Sequence, residues 1–553
     1  MAAGSDNLVR LGEEFWKWRA ATQPQSGDDI PRIQRPAGWA PDWSPDAVAA
    51  RRETLVDLER EWRAMATDAA SGAWAIEQQV DYRLIGSALA RVRWELDVLR
   101  GWQRNPHFYV HQTLGTIFEA LLPPAPFSPE RTAELIRRAE HIPATVDAAR
   151  ENLASDSVAP FARLAIAALE DVRGRLRTVA DELGAVIRAD DAVPLQRALA
   201  AAANALESFA EWLAARVDAM TADTAIGRAR YDWFLTSVAL LPLSPEEIVV
   251  SAQQELERSV VFEALEAQRN RDVPPLQLPG SRAEQIEREA RGEAQLRAFC
   301  EDHDLLTFPA WLRRYRNLPL PAYLVPLHGL GVTDDLTSPS RLDEDGTSYI
   351  PEPRSDLPYF YLAMARDPRT LIAHEGMHYY QLARSWAHAD PLRRFYYDSG
   401  PNEGIGFYAE EMLLQSGLFD DSPRSREIIY SFMRLRAVRV GVDVRLALGE
   451  LTIETAAREL AERVPMDPET AREEASFFAS DPGQAISYHV GKMQIVSFLA
   501  DVRRAAEGSF SLRAFHDRLW INGNVPIALQ RWESLGDRNE VSRLDTARAS
   551  LPM

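Results

Sequence analysis

Residues 169–186 read LEDVRGRLRTVADELGAV, and six Leu and Val residues in this stretch recur at spacings of 3, 4, 3, 4 and 3 positions. A helix turns about 100° per residue, so this spacing puts all of them on one face and predicts a helix with a single buried stripe. The segment from Leu195 to Val217 repeats the pattern after the break DDAVP at 190–194. We therefore predict two long helices that pack antiparallel across a short turn, with both stripes in the core.

The composition is that of a globular protein. The 553 residues are 46% hydrophobic and 26% charged, which excludes disorder as the main state. There are 62 basic and 82 acidic residues, so the formal net charge is −20. Nucleic acids and anionic membrane surfaces bind clustered Lys and Arg, and we expect neither as a partner. Small molecules and peptides remain as ligand classes. The sequence gives no indication of the oligomeric state.

Cys300 is the only cysteine, which excludes an intrachain disulfide and a Cys-rich metal site. Any metal must then be held by His and carboxylate groups. The first twenty residues, MAAGSDNLVRLGEEFWKWRA, include acidic residues and lack the continuous apolar core of a secretory signal. No apolar run approaches the about 18 residues of a membrane span. We therefore predict a cytoplasmic protein.

Local signals predict a mostly α chain with one small β insertion. Ser44 and Ser244 each precede a proline and a helical pattern, and Ser244 with Glu247 forms a capping box. Between about residues 318 and 361, β-branched and aromatic residues are mixed with Pro, Gly and Asp, which favours a small sheet. The segment DLPYFYLAM at 356–364 is predicted as an edge strand of this sheet, to which an extended peptide could add.

Residues 369–386 read RTLIAHEGMHYYQLARSW and contain the pattern H-E-x-x-H. His374 and His378 lie about one helical turn apart on one face, so both imidazoles can bind one ion. Glu375 stands beside them, where its carboxylate could act as general base towards a water on that ion. The composition predicts roughly 0.03 chance matches to H-[DE]-x-x-H in a chain of this length. The alternative is a pair of histidines on an exposed helix face.

The segment SGPNEGIGFYAEEMLLQSG at 399–417 offers the third protein ligand that a catalytic zinc requires. We predict that ligand to be Glu403, with Gly404 and Gly406 allowing two helices to approach closely. Glu410, two turns further along, would accept a hydrogen bond from a ligating imidazole. The alternatives are that Glu403 stabilises a helix N-terminus and that Glu410 is an ordinary solvated acid.

The segment DPGQAISYHVGKM at 481–493 offers donors for a developing oxyanion. Its first residues predict a helix start that places Tyr488 and His489 about two turns into the helix. The alternative for Tyr488 is a core residue with a satisfied hydroxyl, and His489 has an ordinary structural role as its alternative. His516 is predicted to be structural.

Arg436 and Arg439 lie on one predicted helical face. They could bind a substrate carboxylate, as a carboxypeptidase or dipeptidase would require. The alternative is an intrahelical pair between Arg439 and Asp443.

Four segments, HEGMH, NEGIGFYAEE, PGQAISYHVGKMQ and FHDRLWINGNVPI, resemble the DUF885 family, a group of gluzincin-like, mostly helical proteins, and this resemblance implies a zinc metallopeptidase. The resemblance runs along most of the chain and is densest after residue 360. It implies a metal bound by His374, His378 and Glu403, with Glu375 as general base. Two departures stand out: many members carry the longer motif HExxPGHH, and Ala447 occupies a position where the family tends to have His. The resemblance therefore implies that a substrate contact is absent at Ala447, and the substrate could differ from that of other family members.

Together these residues predict a zinc-dependent hydrolase that cleaves amide bonds of short peptides with one Zn²⁺, although another divalent ion would suit the same ligands. Residues 1–240 are predicted to form a helical region that roofs a cleft over a catalytic region at 241–553. Two alternatives stay open. One is a metal-dependent hydrolase of a single small non-peptide amide, and the other is a catalytically inactive helical binding protein.

Overall fold

The computed structural model describes residues 2–26, 33–70, 72, 74–506 and 508–550. It confirms the mostly α prediction, since 69% of the chain is helical and the sheet is small. The first part of the chain contains α1 (Ala2–Thr22), α2 (Pro45–Ala64), α3 (Ala66–Ala70), α4 (Ile76–Arg93), α5 (Gly101–Arg104), α6 (Pro106–Val110), α7 (Thr116–Leu121), α8 (Pro129–Asn152), α9 (Ala159–Ala168), α10 (Val172–Leu183), α11 (Ala189–Ala214) and α12 (Arg228–Trp233).

The second part carries the sheet and the remaining helices. The strands are β1 (Tyr315–Pro319), β2 (Asp334–Asp335) and β3 (Gly346–Ile350). The helices are α13 (Pro245–Arg269), α14 (Arg282–Asp302), α15 (Tyr359–Arg366), α16 (Arg369–Leu371), α17 (Met377–Trp386), α18 (Pro391–Arg394), α19 (Ser399–Ser416), α20 (Pro423–Leu448), α21 (Ile453–Arg463), α22 (Pro468–Ser480), α23 (Ile486–Ala505), α24 (Leu512–Ile521), α25 (Ile527–Leu535) and α26 (Asn539–Ser550).

The helix starts at α2 and α13 follow from their serines, as predicted. Ser44 Oγ accepts a hydrogen bond from the Ala47 amide at 3.3 Å. At α13, Ser244 Oγ accepts from the Glu247 amide at 3.2 Å, and the Glu247 carboxylate accepts from the Ser244 amide at 2.8 Å. This reciprocal pair satisfies two amides that a helix N-terminus leaves without partners.

The stripe at 169–186 is buried but its predicted boundaries are wrong. Asp171 adopts φ 45° and separates α9 from α10, which ends at Leu183. The turn then falls at 184–188, and Val186 is 38% exposed. Residues 190–194 lie inside α11, because Asp190 and Asp191 sit in its first turn, where acidic side chains are favourable. The stripes of α10 and α11 still pack in one core.

The small sheet precedes the H-E-x-x-H segment, as predicted. Its order is β1-β3-β2, with β1 parallel and β2 antiparallel to β3. The edge strand predicted at 356–364 is wrong, since α15 begins there at Tyr359. Pro358 ends the extended segment, and Asp467 accepts a hydrogen bond from the Tyr359 amide at 3.1 Å, which stabilises a helix start.

Two hydrophobic cores hold together the elements that surround the site. The first unites the N-terminal helices with Tyr349, Leu392 and Trp532 from the second part of the chain. The second surrounds the H-E-x-x-H helix with residues of α19, α20 and α24. The division at residue 240 stays a prediction. None of the helices in the described ranges combines the length and apolar character needed to cross a bilayer.

Candidate metal centre

The two motif histidines lie at the junction of a π-helical turn, Ile372–Gly376, and α17. Such wider turns occur often at functional sites, where they redirect side chains. The rings of His374 and His378 are perpendicular with centroids 4.6 Å apart, and their Nε2 atoms are 3.1 Å apart. Both side chains are buried, which contradicts the alternative of two histidines on an exposed face.

Glu403 on α19 completes a cluster of three potential metal ligands. Its Oε2 atom lies 3.3 Å from Nε2 of each histidine. Tetrahedral zinc with ligand bonds near 2.0–2.1 Å requires ligand atoms about 3.3 Å apart, so the three atoms fit one face of that tetrahedron. Within the described ranges, Glu403 Oε2 is buried without an aligned hydrogen-bond donor. These residues fit a divalent cation, and their role as ligands stays a prediction.

Electrostatics in the cluster favour a bound positive charge. Burial and the neighbouring Arg436 lower the pKa of His374, but contacts with the carboxylates of Glu403 and Glu410 outweigh them and raise it to about 9. Burial raises the pKa of Glu403, yet the charge of His378 reverses this and holds the pKa below its ordinary value. A cation would take the place of the proton that the cluster otherwise keeps.

Glycines bring the helices together at the cluster. A Cβ on Gly406 would lie 2.7 Å from His374 Cε1 and 2.9 Å from His378 Cε1, so its absence makes room for both rings. Gly404 has a different neighbour, because its Cβ would lie 2.6 Å from the backbone of Gly491. α19 and α23 therefore meet backbone to backbone beside Glu403.

Behind the histidines lies a buried carboxylate with two partners. Glu410 Oε1 is 2.8 Å from His374 Nδ1 and 2.6 Å from Arg436 Nη2. All three side chains are buried, so Glu410 is not a solvated acid. A carboxylate at this position orients the imidazole so that Nε2 faces the cluster. Arg436 thus contacts Glu410 inside the protein, and it is not placed to meet a substrate carboxylate.

Glu375 is half-buried beside the cluster. Burial raises the pKa of Tyr361, and the negative charge of Glu375 contributes to the same rise. The charge of Glu375 also contributes to the raised pKa of the buried Tyr315, so Glu375 lies near both tyrosines, of which Tyr361 lines the adjoining cavity.

Tyr488 and His489 point in different directions. The Tyr488 ring stacks on His374, with centroids 6.0 Å apart and planes 20° apart. His489 Nε2 instead lies 3.0 Å from Ser251 Oγ on α13, and burial lowers the pKa of His489 to about 4. The structure therefore brings Tyr488 to the cluster, whereas His489 faces α13.

The start of α23 differs from the prediction. The helix begins at Ile486, so Tyr488 and His489 lie in its first turn. Asp443 on α20 caps this start, since its carboxylate accepts hydrogen bonds from the amides of Gly483 at 2.9 Å and Ala485 at 2.7 Å. The sequence could not show this cap, because the acceptor lies some 40 positions away from the amides.

Arg439 is paired, although with a partner that the sequence did not suggest. Arg439 donates two hydrogen bonds to Glu474 on α22, and the bond from Nε to Oε2 is 2.9 Å long. Asp443, the partner we considered, instead caps the start of α23. The Arg439 guanidinium also lies 4.9 Å from the Tyr488 ring centroid. His516 is structural, as predicted, with Nδ1 2.7 Å from the Leu305 carbonyl and Nε2 2.8 Å from the Tyr408 hydroxyl.

A cavity of about 1010 Å³ adjoins the cluster, and Tyr488, Arg439 and Tyr361 line it. Part of its wall comes from the first part of the chain, and we did not predict these residues, which include Arg19, Arg91, Glu95, His107 and His111. His107 and His111 are four residues apart, with ring centroids 4.8 Å apart, and this spacing was the one local signal for this wall.

Comparisons with known proteins relate the chain to bacterial proteins. A family model described as "Bacterial protein of unknown function (DUF885)" matches residues 26–271 and 335–532. The chain matches no curated protein sequence.

Two solved structures share the fold. One is described as "a putative lipoprotein of unknown function from Shewanella oneidensis", with 17% identity, TM-score 0.68 and 97% and 98% of the two chains covered. The other is described as "the putative lipoprotein from Colwellia psychrerythraea", with 16% identity, TM-score 0.71 and 99% of each chain covered. Both descriptions name a lipoprotein, which points to a place outside the cytoplasm, so the predicted cytoplasmic location is wrong.

Proposed function

The chain belongs to the DUF885 family, and from the side chains that meet at its buried centre we propose that it is a zinc-dependent hydrolase of amide bonds in short peptides. One observation carries the proposal. Two imidazole nitrogens from one helical segment and one carboxylate oxygen from α19 lie within 3.1–3.3 Å of one another, beside a cavity of substrate size. Buried carboxylates and imidazoles are seldom gathered in this way without a cation to stabilise them.

Each residue of the cluster has a defined task. His374, His378 and Glu403 would hold the ion, and Glu410 fixes the orientation of the His374 ring from 2.8 Å behind it. Zinc bound there would polarise the scissile carbonyl and lower the pKa of a water molecule. Glu375 takes the proton from the attacking water and passes it to the leaving nitrogen.

Two residues that line the cavity would contribute to binding the substrate and stabilising the oxyanion. Tyr488 stacks on His374 and lines the cavity. The Tyr488 hydroxyl is therefore our candidate donor to the oxyanion. The guanidinium of Arg439 also lies over the Tyr488 ring, 4.9 Å from its centroid, and would help to fix its position.

The size of the cavity limits the substrate. At about 1010 Å³ it matches the upper end of small-ligand sites. A short peptide fits such a volume, whereas a folded protein does not. We place the activity outside the cytoplasm, where the descriptions of the two solved relatives would put those proteins.

Glu375→Gln tests the proposal. The amide is nearly isosteric but cannot accept the proton, so turnover of zinc-loaded protein should fall by about 10²–10⁴-fold while one zinc per chain is retained. The assay is a panel of dipeptides and N-acyl amino acids, with zinc measured by mass spectrometry. Full activity in Glu375→Gln would remove this residue from the mechanism. Turnover confined to N-acyl compounds would favour a hydrolase of one small amide.

A further inference from the structure

Asp481 places a carboxylate in the cavity wall immediately after the end of α22. Among the described residues, no hydrogen bond or ion pair reaches this carboxylate. The charges of Arg91 and Glu95 act on it, and its own charge contributes to the raised pKa of Asp443, which caps α23. Burial raises the pKa of Asp481 to about 6, as expected for an acid that lacks a close positive partner.

The other charged groups deep in the cavity wall are already balanced. They form three ion pairs with nitrogen–oxygen distances of 2.8–2.9 Å, namely Arg19–Glu95, Arg91–Asp398 and Arg439–Glu474. The remaining charged groups on α22 that line the cavity, Glu469, Arg472 and Glu473, are exposed at its rim. In the described part of the chain, Asp481 therefore leaves one uncompensated negative charge inside the cavity.

The wall beside Asp481 is apolar, because a Cβ on Gly483, two residues further along the chain, would lie 2.8 Å from Phe234 Cζ. Trp94 and Phe234 pack with ring centroids 4.9 Å apart, and both line the cavity together with Ile486. A carboxylate in such surroundings is costly unless a cation pairs with it. The combination suits a ligand that has an ammonium group next to an apolar side chain.

We propose that Asp481 binds the ammonium group of the substrate, so that the enzyme prefers short peptides or amides with a free amino group over their acylated counterparts. This inference rests on the proposed hydrolase function. Asp481 and Tyr488 line the same cavity, and the Tyr488 ring stacks on His374 with centroids 6.0 Å apart. A ligand bound at Asp481 therefore lies in the space that adjoins the cluster.

Equilibrium binding to zinc-free protein tests the proposal without turnover. The probes are L-phenylalaninamide, which is cationic, and N-acetyl-L-phenylalaninamide, which is neutral. Titration calorimetry should show that the wild-type protein binds the cationic probe about 10-fold or more tightly than the neutral one, since a charge-assisted hydrogen bond supplies that preference. Asp481→Asn should reduce the preference to less than about 3-fold, because the amide cannot form a charge-assisted hydrogen bond with the ammonium group. Glu469→Gln removes a charge of the same sign from the rim of the same helix and should leave the preference unchanged.

The possible outcomes separate the two proposals. Equal binding of the two probes by the wild-type protein, or no measurable binding of either, would overturn the role of Asp481, and so would a preference that survives in Asp481→Asn. If Asp481→Asn does not fold, Asp481→Ser replaces it, and its preference between the two probes is compared with that of the wild-type protein. Failure of the zinc-loaded protein to cleave any peptide or amide would instead count against the hydrolase, whatever the probes show.

Discussion

Gly491→Ala should separate α19 from α23 and thereby disturb the metal centre without touching a ligand. The added Cβ would lie 2.7 Å from Gly404 Cα and still nearer to the Gly400 carbonyl, whereas ordinary contacts begin near 3.4 Å. The obstructing atoms are backbone atoms of α19, so they cannot turn aside as a flexible side chain would. Restoring normal contact requires the two helices to move apart by about 0.7 Å or more. Glu403 is the neighbour of Gly404 and would move with it.

The expected cost follows from this overlap. Overpacking of this kind destabilises a core by about 1–3 kcal/mol, and the better helix propensity of Ala recovers only about 0.5–1 kcal/mol. Moving Glu403 Oε2 away from two nitrogens at 3.3 Å also weakens zinc binding. We expect about a 10-fold or greater loss of zinc affinity, the scale of disturbed metal-ligand orientation.

Gly441→Ala is the matched control. Gly441 is also inside a long helix, α20, but among the described residues no heavy atom beyond its own helix backbone and chain neighbours lies within 4 Å of its would-be Cβ. This variant should be more stable than the wild type by about 0.5–1 kcal/mol and should bind zinc normally. Urea unfolding and zinc titration calorimetry measure both properties. If Gly491→Ala matches Gly441→Ala in stability and in zinc affinity, the close helix contact does not position Glu403.

Three further predictions concern the cluster and its surroundings. Glu410→Gln should lower zinc affinity by about 10–100-fold in a chelator competition, because the amide holds the His374 ring less firmly; unchanged affinity would contradict its orienting role. Zinc at 100 times its Kd should stabilise the wild type by about 2.7 kcal/mol in thermal unfolding, and His378→Ala should lose this gain. Burial lowers the pKa of His516 to about 4 from an ordinary 6.5, so the folded state favours the neutral ring. The resulting contribution to the free energy of unfolding is complete above pH 6.5 and is lost as the pH falls towards 4. His516→Gln should therefore reduce the slope of unfolding free energy against pH between 6 and 5 by up to about 1.4 kcal/mol per unit, measured by urea unfolding; an identical slope would mean that His516 does not titrate there.

Local spacing was enough to predict the features that lie within one helix or at its start. The four-residue interval from His374 to His378 sets their shared face, and the capping box at Ser244 needs only a neighbour three positions on. The glycines next to Glu403 signalled a close approach of helices. They did not identify the partner helix, which is why Gly404 faces Gly491 and only Gly406 faces the histidines.

Contacts between distant parts of the chain could not be predicted in this way. Arg436 contacts Glu410, and Arg439 pairs with Glu474, because α19, α20 and α22 pack together in three dimensions. The segment at 356–364 shows the same limit, since its aromatic residues suit a strand or a helix equally well. The Asp467 side chain, more than 100 residues further on, stabilises the helix start.

The most direct test of the account is an anomalous diffraction map recorded at the zinc absorption edge from crystals of the zinc-loaded protein. The account predicts one strong peak within about 2.0–2.2 Å of His374 Nε2, His378 Nε2 and a Glu403 oxygen. A map with no peak at the two histidines, or with a peak there and Glu403 turned away from it, would contradict the account.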